Sequence, residues 1–252
     1  MHERYPPILV DATADDILSV VRDMHRQQCT HDPEANPDIS LSHDSTIAEW
    51  RDACDLLPWA KVAEAMNSYW SVTIPMAEWG DVLEPPKERR LGGVCELLAR
   101  HAKLPRLWPA TILGSRCAPG GAFLTIRSYL ADAGADVSAV APSTPLHEYT
   151  RRYPRVFLGP VSQLAPGALP LVKIRTPVYD AFIYGMVIGW VALMVGLCAG
   201  LHAVALLSGL TFAVCYAGVW TIGQWVLPRS VEFQGLSTFR DLSKIIAAGA
   251  RI

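Results

Sequence analysis

The segment from Gly114 to Gly121 combines residue types that could do chemistry, because it places a cysteine between an arginine and a glycine pair. Arg116 precedes Cys117, and a neighbouring positive charge favours the thiolate that acts as a nucleophile. The glycines could instead surround a phosphate group, but the segment lacks the Gly-Lys-Ser/Thr ending of a P-loop. No histidine lies close to Cys117 in the sequence to act as its base. We therefore interpret this segment as a loop that leads into a helix.

The remaining cysteines and histidines show no spacing that is typical of a metal site. No CxxC pair occurs, and no two histidines lie four residues apart. We expect no catalytic, cofactor-binding or metal-binding residues and no cofactor, and we interpret the thiols as reduced cytoplasmic side chains. The formal net charge of −2 gives no reason to expect nucleic acid as a partner. The six cysteines are Cys29, Cys54, Cys95, Cys117, Cys198 and Cys215.

The longest uncharged segment of the chain runs from Ala181 to Leu227 and contains 47 residues without Asp, Glu, Lys or Arg. The hydrocarbon core of a bilayer is ~30 Å thick and is crossed by about 20 helical residues. The segment therefore predicts two spans, roughly residues 179–198 and 203–227, joined by a tight turn. The alternative is a hairpin buried in a soluble core, although the segment is longer than a domain of this size needs to bury. Residues expected at the turn are Gly196, Gly200 and His202.

Small residues recur along both predicted spans. Because small side chains let two helices approach closely in lipid, they predict tight packing between the two spans. They include Gly185, Gly189 and Gly196 in the first span and Ser208, Gly209, Ala213, Ala217 and Gly218 in the second.

Basic residues flank the uncharged segment on both sides and are absent from its turn. By the positive-inside rule, both ends of the hairpin face the cytoplasm. We expect a two-span protein of the inner (cytoplasmic) membrane, with its N- and C-termini in the cytoplasm and the lipid bilayer as a partner. The flanking basic residues are Arg151, Arg152, Arg155, Lys173 and Arg175 before the hairpin, and Arg229, Arg240, Lys244 and Arg251 after it.

Helical periodicity dominates outside the hairpin, and the sequence predicts an all-α fold. The first region opens with a helix from Thr13 to about Gln27, because Thr13 and Asp16 have the spacing of a capping box. Further helices are predicted around Trp50, from about Pro58, at residues 76–82 and at residues 88–101. The tryptophans are expected in the core, since a small bundle gains stability by burying them. They are Trp50, Trp59, Trp70 and Trp79.

Residues 11–102 resemble the acyl carrier protein family, which is a small four-helix bundle. In that family the second helix ends in an aromatic residue followed by an aliphatic-x-Ile-Pro stretch, as residues 70–75 do here (Trp-Ser-Val-Thr-Ile-Pro). The loop before that helix often contains an element such as Asp44-Ser45-Thr46. The resemblance implies the fold of the family and a surface for docking a protein. The alternative is an unrelated helical bundle.

The chain departs from the family at the residue that carries its cofactor. In the family an Asp-Ser-Leu motif begins the second helix, and its serine carries phosphopantetheine. The matching place here reads Asp55-Leu56-Leu57-Pro58. Because the hydroxyl is missing, no phosphodiester can form, and the resemblance implies a degenerate bundle without the carrier chemistry.

A second, degenerate copy of the bundle is suggested by weaker motifs. Residues 142–146 (Pro-Ser-Thr-Pro-Leu) are similar to residues 44–47, and Thr238-x-x-Asp241-Leu242 resembles the start of the family's last helix. We hypothesise a second bundle that is split by the hairpin, so that its last helix follows the membrane segment. The alternative is an amphipathic tail that lies on the bilayer.

One serine in the second region lies in a motif that resembles the family's Leu-Gly-x-Asp-Ser-Leu. Residues 158–164 read Leu-Gly-Pro-Val-Ser-Gln-Leu, so Val161 replaces the acid and Gln163 the final leucine. The candidate helix at about 153–164 also contains Pro160, which disfavours a regular helix. We therefore do not expect Ser162 to be modified.

These patterns predict five regions: a carrier-like bundle (1–103), a linker (104–121), a second helical region (122–177), a transmembrane hairpin (178–228) and a cytoplasmic C-terminal helix (229–252). We expect a protein that is not an enzyme and acts as an adaptor or scaffold for an unknown protein partner at the membrane. The alternative is a small regulatory subunit of a membrane transport or export complex. A third hypothesis is an enzyme with Cys117 as its nucleophile.

Overall fold

The computed structural model describes residues 5, 7–112, 114–175, 177–224 and 230–250, and it is predominantly helical with only small sheets. The chain forms two compact units, one that ends at Lys173 and resumes at Glu232, and one from Ile174 to Val231. The strand pairs are β1 (Ile8–Asp11) with β2 (Lys103–Arg106), β3 (Thr111–Ile112) with β4 (Ser115–Arg116), and β5 (Val172–Arg175) with β6 (Ser230–Phe233).

The first bundle begins with the capping box that the sequence predicts. The Asp16 N–H donates to Thr13 Oγ1 at 3.2 Å, and the Thr13 N–H donates to Asp16 Oδ2 at 3.1 Å. Each bond satisfies a backbone donor that has no partner inside the helix. Thr46 and Glu49 form a second capping box at the next helix. The helices of this bundle are α1 (Ala14–Gln28), α2 (Ile47–Cys54), α3 (Trp59–Trp70), α4 (Met76–Leu83) and α5 (Leu91–His101).

Tryptophan side chains fill much of the first core, as expected. Trp79 is fully buried, Trp50 and Trp70 are nearly so, and Trp59 is half-buried against them. The indole N–H of Trp79 donates to Asn67 Oδ1 at 3.2 Å. Asn67 also exchanges two hydrogen bonds with the backbone of Ile74, so one polar side chain fixes the connection between α3 and α4.

The segment 104–121, expected as a linker, instead contains strands and the first turn of a helix. In β2, Leu104 pairs with Val10 and Pro105 with Leu9 of β1, and Leu104 is buried. Strands β3 and β4 then form a small hairpin. No local sequence pattern predicts β1 or β2. Each strand is only four residues long, and β1 lies at the start of the first bundle in the chain whereas β2 lies after its last helix.

The second helical region contains α6 (Ala118–Asp132). Shortly after its end, Gly134 adopts a left-handed conformation with φ 82°, as is common after a helix C-terminus. The predicted helix at 153–164 is broken, as Pro160 suggests. A three-residue helix, α8 (Pro154–Val156), runs into a π-helical turn (Phe157–Val161), and the chain kinks at Gly159 with φ −104° and ψ −107°. A short helix before it, α7 (His147–Arg152), is not anticipated by the sequence pattern.

The C-terminal helix, α11 (Phe239–Gly249), packs on α6. It starts at the predicted Thr238–Asp241 capping box, with the Asp241 N–H 3.3 Å from Thr238 Oγ1. Phe239 is buried, and its ring centroid lies 6.4 Å from that of Phe123 and 5.3 Å from that of Tyr149. Helix α11 therefore packs with elements that precede the hairpin, and we call α6, α7, α8, the π-helical turn and α11 together the second bundle.

Both bundles close with the same set of backbone hydrogen bonds, which join the loop before a short helix to the start of the last helix. In each bundle a residue of the loop also forms an isolated antiparallel bridge to the residue before that last helix, Thr46 to Arg90 and Pro145 to Thr238. The donor and acceptor pairs are Ile47 to Arg89, Leu91 to Ser45 and Gly92 to His43 in the first bundle, and Leu146 to Ser237, Phe239 to Thr144 and Arg240 to Pro142 in the second.

The buried positions of the last helices match in the same register. Leu91, Val94, Cys95 and Leu98 of α5 correspond to Phe239, Leu242, Ser243 and Ile246 of α11. In chain order, the hairpin precedes the last helix of the second bundle, α11, just as α4 precedes the last helix of the first bundle, α5.

The first bundle also holds the segment that leads into the hairpin. Arg26 Nη2 donates to the Leu169 carbonyl oxygen at 2.6 Å. The Gln27 side chain donates to the Pro170 carbonyl oxygen at 3.2 Å and accepts from the Val172 N–H at 2.9 Å. Gln27 therefore satisfies backbone groups of residues 170–172 in the way that a neighbouring strand would.

The hairpin consists of two helices, α9 (Pro177–Cys198) and α10 (His202–Gln224), each long and apolar enough to cross a membrane. Only 11 % of the positions in Ala181–Cys198 and 6 % of those in His202–Val219 are buried. A hairpin inside a soluble core would be mostly buried, so this exposure argues against that alternative. The predicted end of the second span at residues 225–227 lies outside the described residues.

The small residues of the hairpin allow the close packing that the sequence predicts. A Cβ atom placed on Gly189 would lie 3.0 Å from the backbone nitrogen of Phe212 in the facing helix. Gly196, expected at the turn, lies inside α9, where a Cβ would come 3.0 Å from the Ala205 nitrogen. The turn itself uses Gly200 with φ 68°, and His202 begins α10.

Candidate functional site

Cys117 caps α6 through its backbone. The Cys117 N–H donates to the Ala110 carbonyl oxygen at 2.9 Å, and the Cys117 carbonyl accepts from the Gly121 N–H at 2.9 Å. Within the described part of the chain, no hydrogen bond joins the thiol to a histidine or a carboxylate. The geometry therefore gives Cys117 a structural role at the start of α6.

Gly121 is required for the close packing of α6 against the chain at Trp108. A Cβ atom on Gly121 would collide with the Trp108 carbonyl oxygen. The glycine thus lets the chain at Trp108 lie directly against α6.

Ser162 directly follows the π-helical turn, and its hydroxyl donates to backbone carbonyl groups of that turn. Ser162 Oγ donates to the carbonyl oxygens of Gly159 and Leu158, at 2.8 and 3.0 Å. At the place that matches the family's serine motif, Asp55 ends α2 in a left-handed conformation with φ 42°. Neither place presents the family's serine at the start of a helix.

Burial makes the Cys54 and Cys95 thiols of the first bundle less acidic than free thiols. Burial raises the pKa of Cys54 to about 12 and that of Cys95 to about 12, because the thiolate would lose its hydration. Burial also raises the pKa of Cys29. No group of three or more His, Cys, Asp or Glu side chains within the described ranges could hold a metal ion.

A cleft of about 440 Å³ opens in the second bundle. One wall is the N-terminal part of α6 with Phe123 and Leu124, and another is the segment around Trp108. Tyr5 stacks edge-on against Trp108 with 5.7 Å between the ring centroids. We call this feature the α6–α11 cleft, since α11 forms its remaining wall.

A buried threonine fixes the Trp108 wall. Thr125 is fully buried, accepts a hydrogen bond from the Trp108 N–H at 3.0 Å and donates to the Gly121 carbonyl oxygen at 2.9 Å. The Ala110 N–H in turn donates to the Trp108 carbonyl oxygen at 2.9 Å. The apolar wall is therefore held by hydrogen bonds to α6 and does not depend on a ligand for its position.

The α11 wall of the cleft is cationic. Arg240 and Lys244 are exposed, lie one helical turn apart and both line the cleft, and none of its described lining residues is acidic. Asp241, their neighbour, is turned to the helix start instead: hydrogen bonds from Thr238 and Ser237 lower its pKa below the ordinary value of 3.8. Among the described residues, no carboxylate forms an ion pair with either cation.

The sequence pattern does not reveal this cleft. Arg240 and Lys244 count there only as charges that flank the hairpin, and Trp108 lies in a proline-rich segment that predicts a linker. The spacing of four residues between the two cations is the only local signal. No protein-family model, curated protein or solved structure matches the chain.

Proposed function

We propose that this protein is a membrane-anchored adaptor, without catalytic activity, whose hairpin crosses the bilayer and whose two bundles form a docking body for a partner protein. The observation that carries the proposal is the packing of α11 on α6. Helix α6 precedes the hairpin and α11 follows it, so the second bundle can form only when both ends of the hairpin lie on the same side of the membrane. This favours two spans over one.

Charge and exposure support the membrane part of the proposal. The exposed faces of α9 and α10 are apolar: Trp190 is 52 % exposed, Leu206 is 76 % and Leu210 is 64 %. Soluble proteins rarely leave such a continuous apolar surface in water. The basic residues before and after the hairpin favour a cytoplasmic location for both of its ends by the positive-inside rule.

The docking role is inferred from the resemblance and from one exposed side chain. Leu57 is 62 % exposed and lies at the place that matches the family's serine motif. A single exposed leucine is common on protein surfaces, so the resemblance carries this part of the proposal. We propose that Leu57 contacts a protein partner where the family carries its prosthetic group.

Two native cysteines test the topology. Cys198 is exposed at the end of α9, and Cys29 is half-buried at the end of α1. A membrane-impermeant maleimide applied to spheroplasts should label Cys198, and it should reach Cys29 only after the membrane is permeabilised. Cys198→Ser is the control that should abolish labelling. Labelling of Cys29 in intact spheroplasts would contradict the proposed orientation.

A photo-crosslinking amino acid tests the docking role in cells. Placed at Leu57 it should give one adduct of defined mass, and placed at the exposed Glu64 of α3 it should not. Leu57→Asp in trans should fail to compete for that adduct. If a probe at Leu206 of α10 alone gives an adduct, the hairpin carries the interaction and the regulatory-subunit alternative replaces the adaptor.

A further inference from the structure

We propose that the α6–α11 cleft binds a phosphate monoester that carries an apolar group. The cleft of about 440 Å³ is within the size range of small-molecule sites, roughly 300–1,000 Å³. Such sites typically combine apolar walls with a few polar groups that fix orientation. Here the apolar part is formed by Trp108, Phe123 and Leu124, and the polar part by Arg240 and Lys244.

The charge of the site selects the class of ligand. Two cations one turn apart, with no acid among the described lining residues, complement a dianion better than a monoanion. The guanidinium of Arg240 can donate two parallel hydrogen bonds to a phosphate, and the Lys244 ammonium adds a point charge. A phosphate monoester near neutral pH carries close to two negative charges, whereas a carboxylate carries one.

The first bundle shows that the cations are not needed to build this fold. When α5 and α11 are aligned by their buried residues, Gly92 of α5 occupies the position of Arg240 in α11, and Glu96 occupies the position of Lys244. The first bundle closes with the same hydrogen bonds without a cation at either position. The two positive charges of α11 are therefore not needed for the packing of the bundle and can bind a ligand.

The same chemistry could come from a soluble phosphate monoester or from phosphatidic acid, whose headgroup is a phosphate monoester. The test uses the full-length protein labelled with 5-fluorotryptophan in phosphatidylcholine nanodiscs, with the ¹⁹F signal of Trp108 assigned through Trp108→Phe. Hexyl phosphate should shift this signal saturably, and hexanol and inorganic phosphate should bind more weakly. Nanodiscs that contain phosphatidic acid should shift the signal without added ligand only if the lipid is the source.

Matched variants show whether the named residues bind the probe. Arg240→Gln/Lys244→Gln should weaken the binding of hexyl phosphate by about tenfold or more, because both charge-assisted contacts to the phosphate are lost. Arg151→Gln/Arg155→Gln removes the same charge from exposed positions that do not line the cleft and should leave the affinity unchanged. Leu124→Trp, which fills the apolar part, should weaken hexyl phosphate more than inorganic phosphate.

The proposal is overturned if the α11 double variant binds hexyl phosphate as tightly as the unmodified protein. It is also overturned if hexanol binds as tightly as hexyl phosphate, because the phosphate would then contribute nothing. Hydrogen exchange in α6 shows whether each variant keeps the second bundle folded, so a loss of binding through unfolding is recognised.

Discussion

The backbone N–H of Phe239 donates a hydrogen bond to the carbonyl oxygen of Thr144 at 3.2 Å, although the whole hairpin lies between these residues in the chain. The equivalent bond of the first bundle joins Leu91 to Ser45 at 2.8 Å with only α2, α3 and α4 between them. The closing contact of the bundle is thus the same whether or not two long apolar helices lie within it. The second bundle depends on residues from both sides of the hairpin.

This dependence predicts a large effect of Phe239→Ala. Phe239 is 1 % exposed and touches the rings of Phe123, Tyr149 and Phe157. Truncating a buried phenylalanine costs about 3–5 kcal/mol. We expect hydrogen exchange of the α6 amides, measured in nanodiscs, to accelerate by about a hundredfold or more.

The control for Phe239→Ala is Ala248→Gln, a change at an exposed position of the same helix. It should leave the exchange of α6 unchanged. Equal exchange rates of the α6 amides in Phe239→Ala and the unmodified protein would show that packing of α11 does not stabilise α6. This result would favour the alternative in which α11 is an amphipathic tail on the bilayer.

The capping box of α11 predicts a loss of stability in acid. Hydrogen bonds from Thr238 and Ser237 hold the Asp241 pKa below its ordinary value of 3.8. A carboxyl group with a lowered folded pKa contributes stability above its unfolded pKa and loses it as the pH falls through the folded pKa. We expect the protection of α11 amides to be constant near pH 6 and to fall as the pH drops below 3.8.

Asp241→Asn should flatten this part of the pH dependence and lower the protection of α11 near neutral pH. Glu148→Gln, which removes an exposed carboxylate from α7, is the matched control and should keep the acid response. A response to acid that is identical in the Asp241→Asn variant would assign it to other groups.

The elements that the sequence predicts are those whose signals are local. Thr13 with Asp16 and Thr238 with Asp241 mark helix starts within four residues, and both capping boxes form. Helix α7 has six residues and no apolar stripe, so periodicity does not detect it. Strands β1 and β2 pair across the whole first bundle, and their formation depends on a tertiary contact that no window of sequence contains.

The candidate cleft could not be predicted from the sequence, because it too depends on tertiary contacts. Trp108 and Arg240 are far apart in the chain, and they line one space only because α11 docks on α6 and Gly121 lets residue 108 approach. The interpretation of the segment around Cys117 required only local information, and the start of a helix directly after this residue is confirmed, although Ser115 and Arg116 form β4 and not a loop.

Two glycine substitutions should change stability in opposite directions. Gly121→Ala places a Cβ against the Trp108 carbonyl oxygen, and overpacking of this kind costs about 1–3 kcal/mol. Gly80 lies inside α4, where an added Cβ would lie 3.8 Å from the nearest Trp59 atom, which is ordinary contact. Gly80→Ala should therefore stabilise the first bundle by about 0.5–1 kcal/mol, because alanine loses less backbone entropy in a helix.

Thermal unfolding of both variants, followed by tryptophan fluorescence in the same detergent, measures the two effects. The Gly121→Ala variant should also show a changed environment of Trp108 before unfolding. Stabilisation by Gly121→Ala would mean that residue 108 does not lie against α6.

The packing of the hairpin predicts a specific disulfide. A Cβ on Gly185 of α9 would lie 2.6 Å from the Sγ atom of Cys215 in α10. We expect Gly185→Cys, in a Cys198→Ser background, to form an intramolecular disulfide with Cys215 on mild oxidation in the membrane. Gly209→Cys is the matched control, because a Cβ there faces Leu193 at 3.8 Å and no thiol. Mass spectrometry of the linked peptides identifies the bond, and its absence in Gly185→Cys would contradict the register of α9 against α10.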